Sequence, residues 1–310
     1  MAAGSVTAGR KAAASPRPGS LARKEAMWGY LFAAAPLLGF LIFGLIPIVM
    51  SLLLAFAKWD MFRDPRWAGF TNFARVSHDP IVLQSFVNTL VFFIGVPIGM
   101  ALSLLLALAL NRKIRGINWY RAIYYLPSVS SIVAVSLLWQ WIFNPEKGLL
   151  NMYLLKVGIA GPEWLQNPLW VKPALILMGI WGGLGPNMIL FLAGLQGVPQ
   201  SLYEAASIDG ATARQQFWHV TWPMLTPTTF FISIMGAIGA MQYFGQIYIM
   251  TQGGPEHAST SYMFYLWQQA FTYYRMGYAS ALAWVLGVII ILITVCQFQL
   301  AKRWVYYESN

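Results

Sequence analysis

The sequence predicts an all-α integral membrane protein with six transmembrane helices, and three observations carry that prediction. The 310-residue chain is 58% hydrophobic and only 10% charged, which removes it from the range of ordinary soluble enzymes. Its charges cluster between uncharged runs, and six such runs reach the roughly 20 residues needed to cross a bilayer core of about 30 Å. Each is a solid apolar block. The shorter, alternating crossings of a β-barrel have no counterpart here.

The predicted spans run from Tyr30 to Ala57, Phe86 to Leu110, Ala122 to Phe143, Pro173 to Leu195, Met224 to Met250 and Tyr278 to Leu300, none with an Asp, Glu, Lys or Arg inside. Ahead of the first, Met1 to Ala26 is rich in Ala, Gly, Ser, Pro and Arg and reads as disordered. The block after it is too long for a signal-peptide core, so it is expected to remain as the first helix. Pro36, Pro47, Pro97 and Pro127 lie inside spans and predict kinks rather than ends, because a packed bundle can satisfy the carbonyls they free.

Between the spans, Lys58 to Ser85 carries the turn markers Trp59-Asp60, Gly69-Phe70 and Asp79-Pro80 and reads either as a compact cap or as a simple connector. In the loop from Asn144 to Lys172, the spacing of Leu149, Leu150, Tyr153, Leu154 and Val157 suits a short interfacial helix, with Trp164 and Trp170 as anchors. Trp28, Trp59, Trp119, Trp170, Trp222 and Trp304 stand at span ends, where an amphipathic ring is favoured at head-group depth.

Six spans put both termini on one side. The two tails and the second and fourth loops hold 12 of the 20 Lys and Arg residues and 4 of the 10 acids, so that side is expected to be cytoplasmic. The formal charge of +10 gathers at helix ends and fits anionic lipid head groups, not nucleic acid. Cys296 is a lone cysteine expected to be buried in the last span, and His78, His219 and His257 lie in separate loops, so no metal framework is read.

Energy sources are missing from the chain. No Gly-Lys dipeptide occurs, so the phosphate-cradling loop is absent. The spans also lack the acidic or basic residues through which many secondary transporters couple to ions.

One short polar interval stands out. Ser201-Leu202-Tyr203-Glu204 has the Ser-x-x-Glu spacing of a capping box, so a helix is expected to begin at Ser201. Small residues follow, and Gly210 permits a turn that other residues resist. A second helical segment, Ala211 to Val220, is expected before Pro223 and the fifth span.

Glu204-Ala205-Ala206, then Gly210 after the three residues Ser207-Ile208-Asp209, then Val220 and Pro223, resemble the cytoplasmic signature of binding-protein-dependent ABC importer permeases. Within that family the chain looks like the carbohydrate subgroup of maltose-permease and glycerol-phosphate-permease type. Supporting matches run from about Tyr30 to Leu300. They are Gly69-Phe70-Thr71-Asn72-Phe73, Asn88-Thr89, the stretch from Asn111 to Gly116 with Arg121, Leu126-Pro127, Ala193-Gly194-Leu195-Gln196, and Thr251-Gln252-Gly253-Gly254-Pro255. Trp222 and Val220 depart from the usual Leu and Ile but stay apolar.

The resemblance implies the six-transmembrane-helix type I ABC importer permease fold with a cytoplasmic coupling helix. Residues 1–28 would form a disordered cytoplasmic tail, 29–304 the permease domain with its coupling loop at 196–223, and 305–310 a cytoplasmic C-terminal tail. Glu204, Ala205, Ala206, Asp209, Gly210 and Pro223 would couple to an ATPase, although Asp209 reads equally as a solvated carboxylate. The implied partners are a second, different permease, two cytoplasmic ATPases carrying ATP and Mg, an extracytoplasmic solute-binding protein, a sugar and membrane lipid. The implied location is a bacterial or archaeal plasma (inner) membrane. No cofactor is expected on this chain, and no covalent chemistry.

A sugar pathway needs amides, hydroxyls and aromatic faces inside apolar helices. The outer half of the fifth span supplies Gln242, Tyr243, Gln246 and Tyr248, with 242 and 246 one helical turn apart. In the resembled family that stretch contributes substrate contacts. Trp181 and Asn187 in the fourth span flank Gly182-Gly183 and Gly185-Pro186, where a local break would let backbone line a cavity. For the four residues of span five, bonding between helices is the competing role, and for the span-four pair it is close packing at the glycines. Two other classes stand as rivals, a self-sufficient secondary transporter or facilitator and a membrane-embedded lipid enzyme.

Overall fold

The computed structural model describes residues 19–112 and 115–306, and within them the chain is helical nearly throughout. Five helices are long and apolar enough to cross a membrane: Ala22–Ala55, Pro80–Leu110, Val171–Gln196, Ala213–Met250 and Met276–Ala301. A sixth crossing is the pair Ile117–Val129 and Ile132–Ile142, bent by 99°. The expected single third span is therefore broken. Contacts divide the chain at Leu53, leaving an N-terminal unit and a main unit that begins at Leu54.

In the N-terminal unit, the helix Ser20–Phe40 passes through a π-helical turn, Leu41–Leu45, before Ile46. The helix start corrects the expected tail, since residues 20–28 are helical; the rest of that tail lies outside the described residues, as do residues 307–310. The π turn ends two residues before Pro47. Proline has no N–H to give the carbonyl four residues back and its ring crowds that carbonyl, so a widened turn there relieves both problems.

The same relation recurs in the main unit. A π turn at Phe217–Thr221 ends two residues before Pro223. The helix Pro80–Phe93 is interrupted at Ile94, three residues before Pro97, and resumes as Gly95–Leu110. Pro186, by contrast, sits inside the unbroken helix Val171–Gln196. The local break anticipated at Gly182 to Pro186 is not there.

Gly185 has a different use. A Cβ on it would run into the Tyr124 carbonyl and the Tyr125 backbone, so its missing side chain lets the helix Ile117–Val129 lie directly on the fourth span. Past the bend, Gln140 donates to the carbonyls of Ile249 and Met250 at 3.3 and 3.1 Å. The bend thus lets one half of the third crossing pack on span four and the other on the end of span five. Ser128 and Ser130 hydroxyls donate to the Tyr125 and Leu126 carbonyls, two of the acceptors released where the helix stops.

The non-membrane segments are ordered by side-chain to backbone bonds. Asn72 donates to both Ala55 and Ala57 carbonyls at 2.9 Å, and the rings of Phe56, Phe70 and Phe73 pack on one another. The first loop is a cap, containing the helix Thr71–His78 and a two-residue ribbon, Ala57–Lys58 against Arg66–Trp67. That ribbon is the one departure from an all-α chain among the described residues. The interfacial helix forms at Leu149–Lys156. Trp164 does not anchor in lipid alone: its indole donates to Asn151 at 2.7 Å and its ring meets Phe143 and Trp170. Cys296 is on the exposed face of the last span, not buried.

Asp79 knits the cap to the last span. Its carboxylate caps the helix Pro80–Phe93 by accepting from the Ile81 N–H and receives the hydroxyls of Tyr265 and Tyr278 at 2.6 and 2.8 Å. Partial burial works to raise its pKa, but the hydrogen bonds and the charge of Arg75 outweigh it and hold the carboxyl below its ordinary value. Burial and the same carboxylate push the Tyr265 phenol up.

Asp79→Ala is expected to cost about 1–3 kcal/mol, read as a lower thermal midpoint at neutral pH. Because the carboxyl is depressed in the folded state, its contribution is complete above the ordinary value of 3.8 and fades as pH falls through the lower folded value; the variant and the parent should converge in that acid range. Gly185→Ala is expected to disrupt assembly, whereas Gly182→Ala, with nothing within 4 Å of the added carbon, is expected to leave it intact. Equal yields of both glycine variants in size-exclusion chromatography would contradict the close crossing.

Candidate functional site

Two sites emerge at opposite ends of one helix. The first is the polar interval before span five. Its helix is Gln200–Ile208, beginning at Gln200 rather than Ser201, with Pro199 at the N-cap and no side-chain cap bond. The expected Ser201 to Glu204 capping box does not form. The reciprocal box is built one helix later, between Thr212 and Gln215, at the start of Ala213–Gln216.

The turn between those helices closes as the spacing of Gly210 suggested. Gly210 has φ +76°, the Ala211 N–H donates to the Ala206 carbonyl and the Gly210 N–H to the Ser207 carbonyl. This is the paired-bond termination that a left-handed residue after a helix permits. The small residues of the signature therefore act locally, Ala206 supplying the acceptor and Gly210 the left-handed backbone.

Glu204, Ala205 and Asp209 are exposed, and Ala206 is half-buried. Glu204 borders an open groove of about 660 Å³ with Gln200, Tyr203, Ser207, Ile208 and Gln216. Ile208 is 86% exposed, an apolar tip with no partner surface in this chain. Sequence reasoning did not single out Ile208.

It also missed the clamp that joins this hairpin to span five. The Tyr203 hydroxyl lies 2.9 Å from the Thr221 hydroxyl, and Gln216 donates to the Ser207 hydroxyl at 3.0 Å. Thr221 closes the π turn, and from Ala213 to Met241 the chain is helical without a gap. Pro223 is thus inside a continuous rod, where it sets the π turn, rather than at the beginning of a separate span.

That rod leads to the second site, a cavity of about 300 Å³ walled by spans two, four and five. Six glycines line it: Gly95, Gly99, Gly179, Gly183, Gly236 and Gly239. An added carbon on Gly239 would meet nothing within 4 Å, whereas on Gly236 and Gly95 it would meet Val96 and Ile176 at 2.5 and 3.1 Å, so these glycines both leave space and let the three helices approach. Asn187 and Tyr243 also line it, so two of the six proposed pathway residues meet there. Tyr243 donates its hydroxyl to the Leu175 carbonyl at 3.1 Å and packs on Phe92.

The other four stand elsewhere. The helix stops at Met241 and resumes at Gly245, so Gln242 and Gln246 are not one turn apart on a common face. Gln242 is exposed and Gln246 half-buried. Tyr248 packs on Phe244 and Trp267, and Trp181 packs edge-on against Trp139.

A hydrogen-bonded lid adjoins the break. Ser261 donates to the Tyr243 carbonyl, and the Tyr262 N–H to the Thr89 hydroxyl. Asn88 donates to the His257 and Thr260 carbonyls and accepts from Lys172 at 2.9 Å. Within the lid, Ser259 and Thr260 bond the Gly254 and Gly253 carbonyls. Two distant sequence signatures, Asn88-Thr89 and the Gly-Gly-Pro loop, are thereby one structure.

Comparison with known proteins gives a consistent result. Residues 95–304 match the family described as binding-protein-dependent transport system inner membrane component. The probable ABC transporter permease protein YesP of Bacillus subtilis (strain 168) is 41% identical over 294 residues, covering 93% of this chain and 94% of that protein. The lactose transport system permease protein LacF of Rhizobium radiobacter is 34% identical over 293 residues, covering 92% and 97%. A crystallised bacterial ABC transporter involved in import of the acidic polysaccharide alginate superposes with a TM-score of 0.80 at 25% identity, covering 90% of this chain and 96% of that one.

Gly210→Val places a branched side chain in a left-handed backbone at a cost of roughly 1–2 kcal/mol, although the surrounding space is open. The hairpin, not the bundle, should loosen. Faster proteolysis between 205 and 215 with unchanged membrane insertion is the expected result; unchanged proteolysis would show that the turn does not depend on the glycine.

Proposed function

Because the chain belongs to the family of inner membrane components of binding-protein-dependent transport systems, we propose that it is the permease subunit through which an ATP-driven importer passes a sugar or sugar-like solute. The observation that carries this reading is the rod from Ala213 to Met241. It is clamped to the exposed hairpin through Tyr203 and Thr221 and borders the cavity through Ile232, Gly236, Gly239 and Ala240.

A helix advances 1.5 Å per residue, so Thr221 and Gly239 are about 27 Å apart along one continuous helix. Movement of the hairpin would be delivered to the cavity wall as rotation or displacement of that wall. The chain has no phosphate-cradling loop of its own, so the movement must come from outside. ATPase subunits carrying ATP and Mg are the proposed source, gripping the hairpin at Glu204, Ala205 and Ile208. Burying an isoleucine side chain contributes about 1.5–3 kcal/mol, a sizeable share of a docking contact.

Alternating access follows from the two ends. When the ATPases close, the hairpins of this chain and of a second, different permease are drawn together and the cavity opens toward the side of the solute-binding protein; hydrolysis and reset return it to the cytoplasm, where both termini lie. The lid tied by Asn88, Thr89 and Ser261 sits next to the break at Gln242–Phe244, the place where the cavity would open outward. Asn187 and Tyr243 offer an amide and a phenol to sugar hydroxyls. Relatives named for lactose and for alginate support a saccharide as cargo.

The test is uptake into proteoliposomes holding the full complement of subunits. A labelled sugar should accumulate only with ATP supplied to the ATPases and with binding protein present. Gly239→Leu, which directs a bulky side chain into open space at the cavity, should cut uptake at least tenfold without loss of the assembled complex. Accumulation without ATP would instead establish a self-sufficient facilitator.

A further inference from the structure

At the other end of the main unit, away from the hairpin, the first loop and the segment before span six enclose a cleft of about 540 Å³. Five cations line it: Lys58, Arg63, Arg66, Arg75 and Arg275. Two carboxylates, Asp60 and Asp64, share the lining, and Asp79 lies behind it. Asp60 is already occupied, accepting from the Phe62 and Arg63 N–H groups at the ribbon tip. Among the described residues, none of the five cations is within ion-pair distance of a carboxylate. Arg75 acts on Asp79 from beyond that distance, and Arg275 donates to the Gln269 side chain at 3.4 Å; five cations against two lining carboxylates still make the concave space net positive, the electrostatic form of an anion site.

The cleft is also built and aromatic. The Arg75 guanidinium sits 4.4 Å over the Tyr278 ring and Arg275 5.6 Å from the Tyr273 ring, which orients both forks. Trp59 is half-buried in the lining. The two walls meet at Phe62 and Tyr274, whose rings are 5.3 Å apart. Met61 and Tyr274 hold φ values of +68° and +54°, conformations that non-glycine residues adopt only when their surroundings impose them.

We propose that this cleft binds an anionic sugar, through its carboxylate or phosphate, before the sugar reaches the membrane cavity. Guanidinium forks match either oxyanion in a bidentate manner, while the ring faces accept the apolar side of a pyranose. The volume is that of a small-molecule site, not of a flat protein interface. The inference rests on the functional reading above, which sets this end on the outer side.

The experiment titrates the assembled complex, in nanodiscs of neutral lipid, with digalacturonate, glucose 6-phosphate and the neutral disaccharide galactobiose. At least one anionic probe should bind at least tenfold more tightly than galactobiose, weaken with added salt, and lose at least tenfold in affinity in Arg75→Gln/Arg275→Gln. Arg63→Gln, at the ribbon tip and free of ring contacts, should weaken binding without touching the packing; its assembly and thermal midpoint check that it folds.

Absence of binding by both anionic probes, equal affinity for galactobiose, or unchanged affinity in both variants would overturn the proposal. So would loss of binding-protein docking, or of anionic-lipid binding, in the arginine variants when no anionic sugar binds. Normal ATP-driven uptake of a neutral sugar alongside such a result would sink the cleft alone; no ATP-driven uptake of any sugar would sink the functional reading itself.

Discussion

Within a bilayer no water is available to take up a free N–H or carbonyl, and the architecture is organised by that constraint. Several of the places where a helix bends or stops are met by a side-chain donor. Ser128 and Ser130 serve the bend in the third crossing, Gln140 serves the end of span five, Ser261 serves the break after Met241, and Arg121 donates to the Leu110 carbonyl at the end of span two. Prolines choose several of the interruptions and these donors make them tolerable. Breaks become permanent features of the chain, available for use as hinges or cavity walls.

The two sites use opposite properties of the same building material. Around the cavity, Gly239 withholds a side chain and leaves space, while Gly236 and Gly95 let neighbouring spans approach. At Gly185 the same withholding lets backbone meet backbone, and at Gly210 it admits a left-handed turn. Between them, the rod from Ala213 to Met241 has no glycine until Gly236 and no break in its helical path, although the π turn at Phe217–Thr221, Pro223 and Pro227 lie within it. A continuous helix next to an exposed apolar tip is what a push from outside requires.

Much of this was legible in the sequence. The long uncharged runs marked the crossings because the bilayer sets their length, and Glu204-Ala205-Ala206 with Gly210 marked the hairpin because a glycine-terminated helix has few alternatives. The interfacial helix at Leu149–Lys156 followed from its periodicity. What was missed depended on tertiary partners. The third crossing bends because its halves pack on different spans, and composition does not register that. Ser201 and Glu204 had the spacing of a capping box, but Pro199 starts the helix earlier and the box forms at Thr212 and Gln215. Gln242 and Gln246 share a face only on an unbroken helix, and the lid bond from Ser261 belongs to a break that local spacing could not reveal. The clamp between Tyr203 and Thr221, 18 residues apart, carried no motif at all.

The central claim is that work generated elsewhere reaches the cavity through the hairpin and the rod. The most direct measurement is the number of solute molecules moved per ATP hydrolysed in reconstituted complexes in which the clamp is removed by Tyr203→Phe and Thr221→Val. The account predicts that hydrolysis continues while the ratio falls severalfold. An unchanged ratio would contradict it.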